Sequence, residues 1–400
     1  MKAPTSLQVT VSPEVEQLLL AGAACAVGVS GGKDSQACAL AVDAYLNRIG
    51  HTGPRVLIHA DLGRVEWADS LPVCEKLAQH LGYELMVVRR QAGDMLARWQ
   101  GRWRANLKRY RELSCVKLIL PWSTPAMRFC TSELKTSVIA SELKKRFPST
   151  PVVNVTGVRR EESTARSKMP VWAPMQKLQR RNLEGVSWNA IIDAPKGAVL
   201  DAIHEGGLVL HEAYTKYNTS RVSCVYCIMS SESDLRAAAT CVDNAPLLRE
   251  MVDLECESTF AFQGDKWLAD VAPHLLTREM CERVEAAKVA ADKRRTAEAR
   301  IPKHLLYVRG WPTLVPSIEE ADLIASVRRE VAAALGIDVQ CVTGPEVRER
   351  YEALFCKTRS EPLDRFRRRP YGRGLSADEF RVRPNDLGLA PIHSARRLHR

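Results

Sequence analysis

The stretch Ser30-Gly31-Gly32-Lys33-Asp34-Ser35 places two glycines, a cation, a carboxylate and two hydroxyls within six residues. Consecutive glycines let a backbone turn tightly and approach a ligand with no Cβ in the way. The N–H groups opening a following helix form an anion site, and Lys33 adds a mobile positive charge. Phosphate or sulfate is the chemistry such a stretch suits. It is not the Walker pattern, whose first glycine is missing at the required distance. Arg128, Arg159 and Arg166 are of the type that grips phosphate or sulfate oxygens bidentately. Asp34 or Asp61 can hold Mg²⁺, a ribose or a phosphate-bound water. A second group of capable residues is the Cys224-x-x-Cys227 pair, with Cys130 far upstream. Three thiolates gathered by a fold suit an iron–sulfur cluster or structural zinc, and unligated thiols are the plainer alternative. Cys241 and Cys256 follow within reach as fourth ligands, and a three-cysteine cluster with one open iron is a further option.

The elements around these residues alternate in type. Cys25–Val29 reads as a strand entering the loop, with a helix from about Asp34; "RVLIHAD" from Arg55 to Asp61 reads as a second strand. A helix through "WADSLPVCEKLAQHLG", a strand at "ELMVVRR" from Glu84 and another at "PVVNVTGV" from Pro151 continue the pattern. Strands alternating with helices predict βαβ units: an α/β, Rossmann-like, mostly parallel sheet flanked by helices, with ligands at the carboxyl ends of the strands. In "DMLARWQGRWRANLKRY", Met95, Trp99, Trp103, Leu107 and Tyr110 recur every three or four residues with arginines between. This spacing predicts one amphipathic helix with a solvated basic face; interleaved basic and aromatic residues binding single-stranded nucleic acid is the second reading. From about Glu282 a charged helix, a Pro/Trp-containing link and a second helical segment follow. The expected organisation is a nucleotide-binding domain over 1–275, a helical appendage over 276–356 and a basic tail over 357–400.

At 400 residues, 46% hydrophobic and 26% charged, the chain reads as an ordinary globular protein large enough for two or three domains. The start carries no basic region followed by an apolar run and cleavage site, and no apolar run of about 18 residues occurs, so a cytoplasmic protein with no membrane partner is expected. Twelve cysteines in such a chain favour metal binding or catalysis over disulfides. The net charge of +11 is concentrated at the end, where Lys357–Arg400 holds twelve Lys/Arg against five Asp/Glu, including "RFRRRPYGR". That tail suits DNA or tRNA, since cationic clusters release counterions from phosphate backbones.

Several segments resemble a known family. Ser30–Ser35 resembles the PP-loop S-G-G-x-D-S of the adenine-nucleotide α-hydrolase (HUP-type) superfamily. "HADLGRVEWADS" is similar to the D-T-G segment of phosphoadenylyl-sulfate (PAPS) reductase-like proteins, matching Asp61 and Gly63 and departing at Leu62. "MRFCTSELK" resembles R-x-C-T-x-x-L-K, placing Arg128, Cys130, Thr131 and Lys135. "TGVRREESTAR" resembles G-[IV]-R-x-x-E-S-x-x-R, placing Gly157, Arg159, Glu162, Ser163 and Arg166. "HEAYTKYNTSRVSCVYC" is similar to H-P-x-Y…S-R-x-x-C-x-x-C, placing His211, Tyr214, Arg221, Cys224 and Cys227. The resemblance spans roughly residues 20–270. Within it the pattern is most like the sulfurtransferase components of DNA phosphorothioation systems, which implies a [4Fe–4S] cluster on Cys130, Cys224, Cys227 and a fourth ligand such as Cys241.

The resemblance implies a PP-loop ATP pyrophosphatase that binds ATP with Mg²⁺ and adenylates a substrate, which sulfur then displaces, the sulfur coming from a cysteine desulfurase or another thiol donor. Lys33, Asp34, Asp61 and Arg159 are its implied catalytic residues, and Ser30, Gly31, Gly32, Ser35, Gly63, Gly157, Arg166 and Arg128 complete the nucleotide site. A PAPS or adenylyl-sulfate reductase is the alternative. Against it stand the missing C-terminal E-C-G-x-H segment and the missing adjacent Cys-Cys pair, although Cys356 is available. A non-catalytic nucleotide- and nucleic-acid-binding module is the third reading.

Overall fold

The computed structural model of the chain describes residues 6–360; the basic tail from residue 361 onward lies outside the described residues. In chain order the first elements are α1 (Pro13–Leu20), β1 (Ala24–Val29), α2 (Lys33–Arg48), β2 (Arg55–Asp61), α3 (Ser70–Leu81), β3 (Glu84–Arg89) and α4 (Met95–Arg111). Next come α5 (Phe129–Thr131), α6 (Ser137–Arg146), β4 (Val152–Val155), α7 (Thr164–Ser167), β5 (Trp172–Pro174), β6 (Gly185–Trp188), α8 (Lys196–Glu205) and α9 (Glu212–Thr215). Five longer helices close the described chain: α10 (Glu232–Ala239), α11 (Ala245–Ser258), α12 (Arg278–Ala299), α13 (Ile318–Leu335) and α14 (Gly344–Ser360).

The strands form one sheet in the order β3-β2-β1-β4-β6-β5. All pairings are parallel except that of β5 with β6, so the expected Rossmann-like α/β fold is the one the chain adopts. The chain runs outward from β1 to β2 and β3, then returns to the other side of β1 with β4. This reversal opens a crevice at the carboxyl ends of β1 and β4, the place where such sheets bind ligands. Both central strands are covered on both faces, which explains their largely apolar sequences, with Asn154 of β4 the one polar side chain. Cys25, Val27 and Val29 join Val153 and Val155 in a core under α2, α3 and α8. Ala24 and Ala26 face the opposite core with Ala140 and Leu143 of α6 and Phe147 just beyond it.

The largest core lies beyond the sheet and unites Leu62, Val65 and the buried face of α4 with α11, α12, α13 and α14. Trp99, Trp103 and Tyr110 of α4 point into it while Arg104, Lys108 and Arg111 face water, so the aromatic stripe serves packing. The described residues up to Thr358 form one compact unit. Arg328 of α13 is fully buried and donates to the carbonyls of Tyr110, Arg111, Gln340 and Cys341 at 2.6–3.2 Å. It thereby adds a cationic donor to the carbonyls at the C-terminus of α4, where Tyr110 O also takes the Leu113 N–H and Arg111 O the Gln340 N–H. Arg294 and Glu298 of α12 form a buried ion pair at 3.1 Å, with Glu298 accepting the Leu118 N–H and Arg294 held by Thr259. No helix among the described residues is long and apolar enough to cross a membrane.

Glu255 of α11 is buried and accepts the N–H groups of Phe262, Leu268 and Ala269 at 2.7–3.1 Å. Burial pushes its carboxyl up to about 7, against the lowering effect of those donors. An acid whose folded pKa exceeds its unfolded value makes stability fall as pH rises between the two. Denaturant unfolding of the full chain should therefore lose about 1–3 kcal/mol between about pH 4.5 and about pH 7 through this group. The loss should vanish in Glu255→Gln; an unchanged pH profile in that variant would assign it elsewhere.

Candidate functional site

The Ser30–Ser35 loop caps β1 and opens α2 at the switch point of the sheet. Gly31 has φ +75°, and a Cβ there would lie 3.0 Å from the Ser70 carbonyl oxygen and 3.1 Å from Cδ2 of His211, so both conformation and space demand glycine. Gly32 differs: its φ is −73° and the nearest atoms to an added Cβ lie at 3.5 Å or more. The loop is held from within by the Ser35 hydroxyl, which donates to Gly32 O at 2.8 Å and accepts the Ser30 N–H at 3.3 Å. Gln36 donates to Gly31 O at 3.2 Å. Gly32 is the N-cap of α2 and offers no side-chain cap. Among the described residues the Lys33 N–H reaches only the Tyr214 hydroxyl, at 3.4 Å, and the Ser35 N–H turns back to Gly32 O at 3.1 Å, so the start of this 16-residue helix is a place where an anion can compete for N–H groups.

Charges around the loop are largely paired. Asp34 receives Arg159 Nε at 2.6 Å on one oxygen and Lys33 Nζ at 3.2 Å on the other. Arg159 is buried and also bonds Glu161 at 2.5 Å; burial lowers its pKa, but Glu161 and Asp34 outweigh that and raise it. Gly157 makes this pairing feasible, because a Cβ there would sit 2.7 Å from Asp34 O. Asp61 ends β2 with one oxygen on the Gly63 N–H at 2.7 Å and the other on Arg89 at 2.8 Å. Gly63, with φ +74°, would drive a Cβ to 2.4 Å from Asp94 Cβ. Arg166 pairs with Glu162 within α7 and its flank. Arg128, at the start of α5, is exposed, and no ion pair commits Lys135 or Arg221 among the described residues. Arg128, Lys135 and Arg221 are thus cations available to an anionic ligand.

Two histidines the spacing argument passed over, or named only by resemblance, support the loop. His59 on β2 is buried, with its ring nitrogens 3.1 Å from Val29 O and 3.0 Å from Glu66. Burial pulls its pKa down, but Cys74 and Glu66 more than offset this and hold it at about 10, so an imidazolium lies beneath the loop at neutral pH. A single histidine in an apolar strand carries no spacing signal, and only the fold reveals this role. His211 is fully buried; its Nδ1 accepts the Ala213 N–H at 3.0 Å, which leaves Nε2–H for the Ser70 hydroxyl at 3.2 Å. Burial lowers its pKa, opposed by Asp69, so the ring over Gly31 is neutral.

The cysteine turn lies beside this loop. The Val225 N–H bonds Val65 O at 2.8 Å, and Gln263 donates to the carbonyls of Cys227, Ile228 and Ser230 at 3.0–3.2 Å. Burial raises the Cys224 thiol pKa, followed by Cys227, with Lys135 opposing and Glu66 and Cys130 adding to the rise. Cys130, Cys224 and Cys227 therefore share one electrostatic neighbourhood. Cys130 sits in α5, directly before the π-helical turn Ser132–Thr136; such turns recur at functional sites. The thiols are of the soft-metal kind, yet as they stand no three His, Cys, Asp or Glu side chains among the described residues are gathered to hold a metal ion. The same holds for Mg²⁺, because the oxygens of Asp34 and Asp61 already serve internal partners. Cys241 keeps other company, its thiol close enough to the Tyr217 hydroxyl to raise that group's pKa. Cys256 lies in α11 among Arg283, Glu255 and Asp253, and Cys356 is exposed.

The sequence matches no protein-family model and no curated protein. Among solved structures, a U34-tRNA thiolase from Methanococcus maripaludis with its [4Fe–4S] cluster is similar over 70% of this chain and 79% of that one, at 12% identity and a TM-score of 0.26.

The two loop glycines separate fold from ligand. Gly31→Ala should cost about 2–4 kcal/mol in thermal or denaturant unfolding through left-handed strain and contact with Ser70 and His211. Gly32→Ala should stay within about 1 kcal/mol of the parent, yet bind pyrophosphate about tenfold more weakly, ~1.4 kcal/mol. Equal destabilisation by both substitutions would show that Gly32 serves the fold.

Proposed function

We propose that the chain is a PP-loop ATP pyrophosphatase-type enzyme that adenylates a substrate for sulfur transfer. The observation that carries this reading is the loop itself: a helix N-terminus at the sheet's switch point with no cap from its own N-cap residue and Lys33 in its first turn, with a thiol turn tied alongside through Tyr214. In the proposed reaction a substrate oxygen attacks the α-phosphorus of ATP, the bond from that phosphorus to the bridging oxygen breaks, and pyrophosphate leaves. The N–H groups opening α2 stabilise the charge on the departing pyrophosphate, as preorganised donors do. Arg159 acts by fixing Asp34 and the first turn of α2, and Arg128, Lys135 and Arg221 are the cations that meet substrate or phosphate oxygens.

Cys130, Cys224 and Cys227 are the residues that would hold a [4Fe–4S] cluster, which supplies a site where sulfur is bound before transfer. The acceptor is assigned to DNA or tRNA, engaged through the basic tail, with a cysteine desulfurase or thiol donor as the sulfur source.

Product analysis of ATP turnover by full-length, anaerobically purified protein tests the reading. AMP and pyrophosphate in equal amounts, with acceptor-dependent rates, are expected; ADP and inorganic phosphate would contradict attack at the α-phosphorus. The same preparation should carry about four irons per chain, lost in Cys224→Ala, whereas a colourless, metal-free parent would remove the cluster from the account.

A further inference from the structure

Tyr214 of α9 stands between the two loops. Its hydroxyl oxygen accepts the Lys33 N–H at 3.4 Å from the glycine loop and the Val222 N–H at 3.1 Å from the segment leading to Cys224. Lys33 Nζ lies 5.1 Å from the centre of its ring. A Cβ on Gly32 would lie 3.6 Å from the hydroxyl and 3.5 Å from Val222 Cβ, so tyrosine and valine both border the space beside this glycine. On either side, the thiol segment is fastened to other elements. Upstream, Thr219 bonds Ala213 O and Ser220 bonds Asp234; downstream, Val225 bonds Val65 O and Gln263 holds the carbonyls beyond Cys227. Tyr214 is the tie between this segment and the glycine loop.

A tyrosine hydroxyl offers two lone pairs and one proton. Here two N–H groups use the lone pairs, and among the described residues no hydrogen bond has this hydroxyl as its donor. A phosphoryl oxygen seated against Gly32 and Lys33 gives that proton an acceptor and competes for the Lys33 N–H. The tyrosyl oxygen then serves Val222 alone and, as the donor to an anion, accepts that bond more strongly. We propose that Tyr214 is a positioning residue that couples phosphoryl occupancy of the Ser30–Ser35 loop to the order of the Cys224–Cys227 turn. The coupling rests on the reading of that loop as a pyrophosphate site, and it times the sulfur-handling turn to the presence of nucleotide.

Hydrogen–deuterium exchange on the full-length protein, with and without inorganic pyrophosphate, separates the two ideas. In the parent, pyrophosphate should slow exchange in peptides over residues 28–36 and, by about fivefold at the Val222 amide, over 219–228, the change one added increment of ordinary hydrogen bonding makes to a local opening equilibrium. In Tyr214→Phe, which keeps the ring and removes only the hydroxyl, protection over 28–36 should persist while that over 219–228 disappears. Protection of 28–36 in the parent without any change over 219–228 overturns the coupling and leaves the loop reading standing; this arm needs no variant. Equal protection of 219–228 in Tyr214→Phe assigns the coupling to another contact. Failure of pyrophosphate to protect 28–36 in the parent overturns the loop reading and the coupling with it.

Discussion

The site depends on one buried guanidinium. Arg159 leaves β4 with its side chain closed between Asp34 and Glu161, and a buried cation of this kind is tolerable only with its partners in place. The position of those partners is set by Gly157, two residues earlier, where the missing Cβ lets β4's exit lie against the backbone of Asp34 and Ser35. Strand, loop and helix are thereby locked in one register. With Asp34 neutralised by Arg159 and Lys33, the first turn of α2 presents N–H groups and no net negative charge. An anion arriving there meets donors already oriented.

The thiol turn is held to the same frame both by short polar ties and by packing, with Val225 and Tyr226 buried in the largest core and Val222, Cys224 and Ile228 against it. Val225 to Val65, Gln263 to three carbonyls and Tyr214 to Lys33 and Val222 each involve backbone groups, which fixes the course of the backbone on either side of Cys224. The C-terminal helices contribute at a distance. Arg328 and the Arg294–Glu298 pair tie α12 and α13 to α4 and to the segment after it, which backs the region from which Cys130 emerges. Glu133, one turn beyond Cys130, is gripped by Arg98 of α4 at 2.7 Å, linking that core to the π-helical turn.

Much of this arrangement was legible in the residues. The strand over Arg55–Asp61 has the bounds its apolar run suggested, and the helix through Met95–Arg111 buries the stripe that spacing picked out, because in both cases one periodicity dominates. The short strands β5 and β6 escaped notice: with three and four residues they show no period, and tertiary pairing alone makes them strands. The glycine loop announced itself by composition, yet the difference between Gly31 and Gly32 appears only when their neighbours Ser70, His211, Tyr214 and Val222 arrive from distant parts of the chain. His59, Gln36 and Glu161 were silent for the same reason. Cys241 was within reach by number and is placed instead beside Tyr217, since proximity in sequence says little about where a thiol points.

The central claim is that the loop between β1 and α2 holds the phosphates of an adenine nucleotide. A crystal structure of the full-length protein with an ATP analogue that resists cleavage between the α- and β-phosphates tests it most directly. The account predicts the β- and γ-phosphates against the backbone N–H groups of residues 31–35, at the crevice between β1 and β4. Nucleotide bound elsewhere, or an empty loop at saturating analogue, would contradict it.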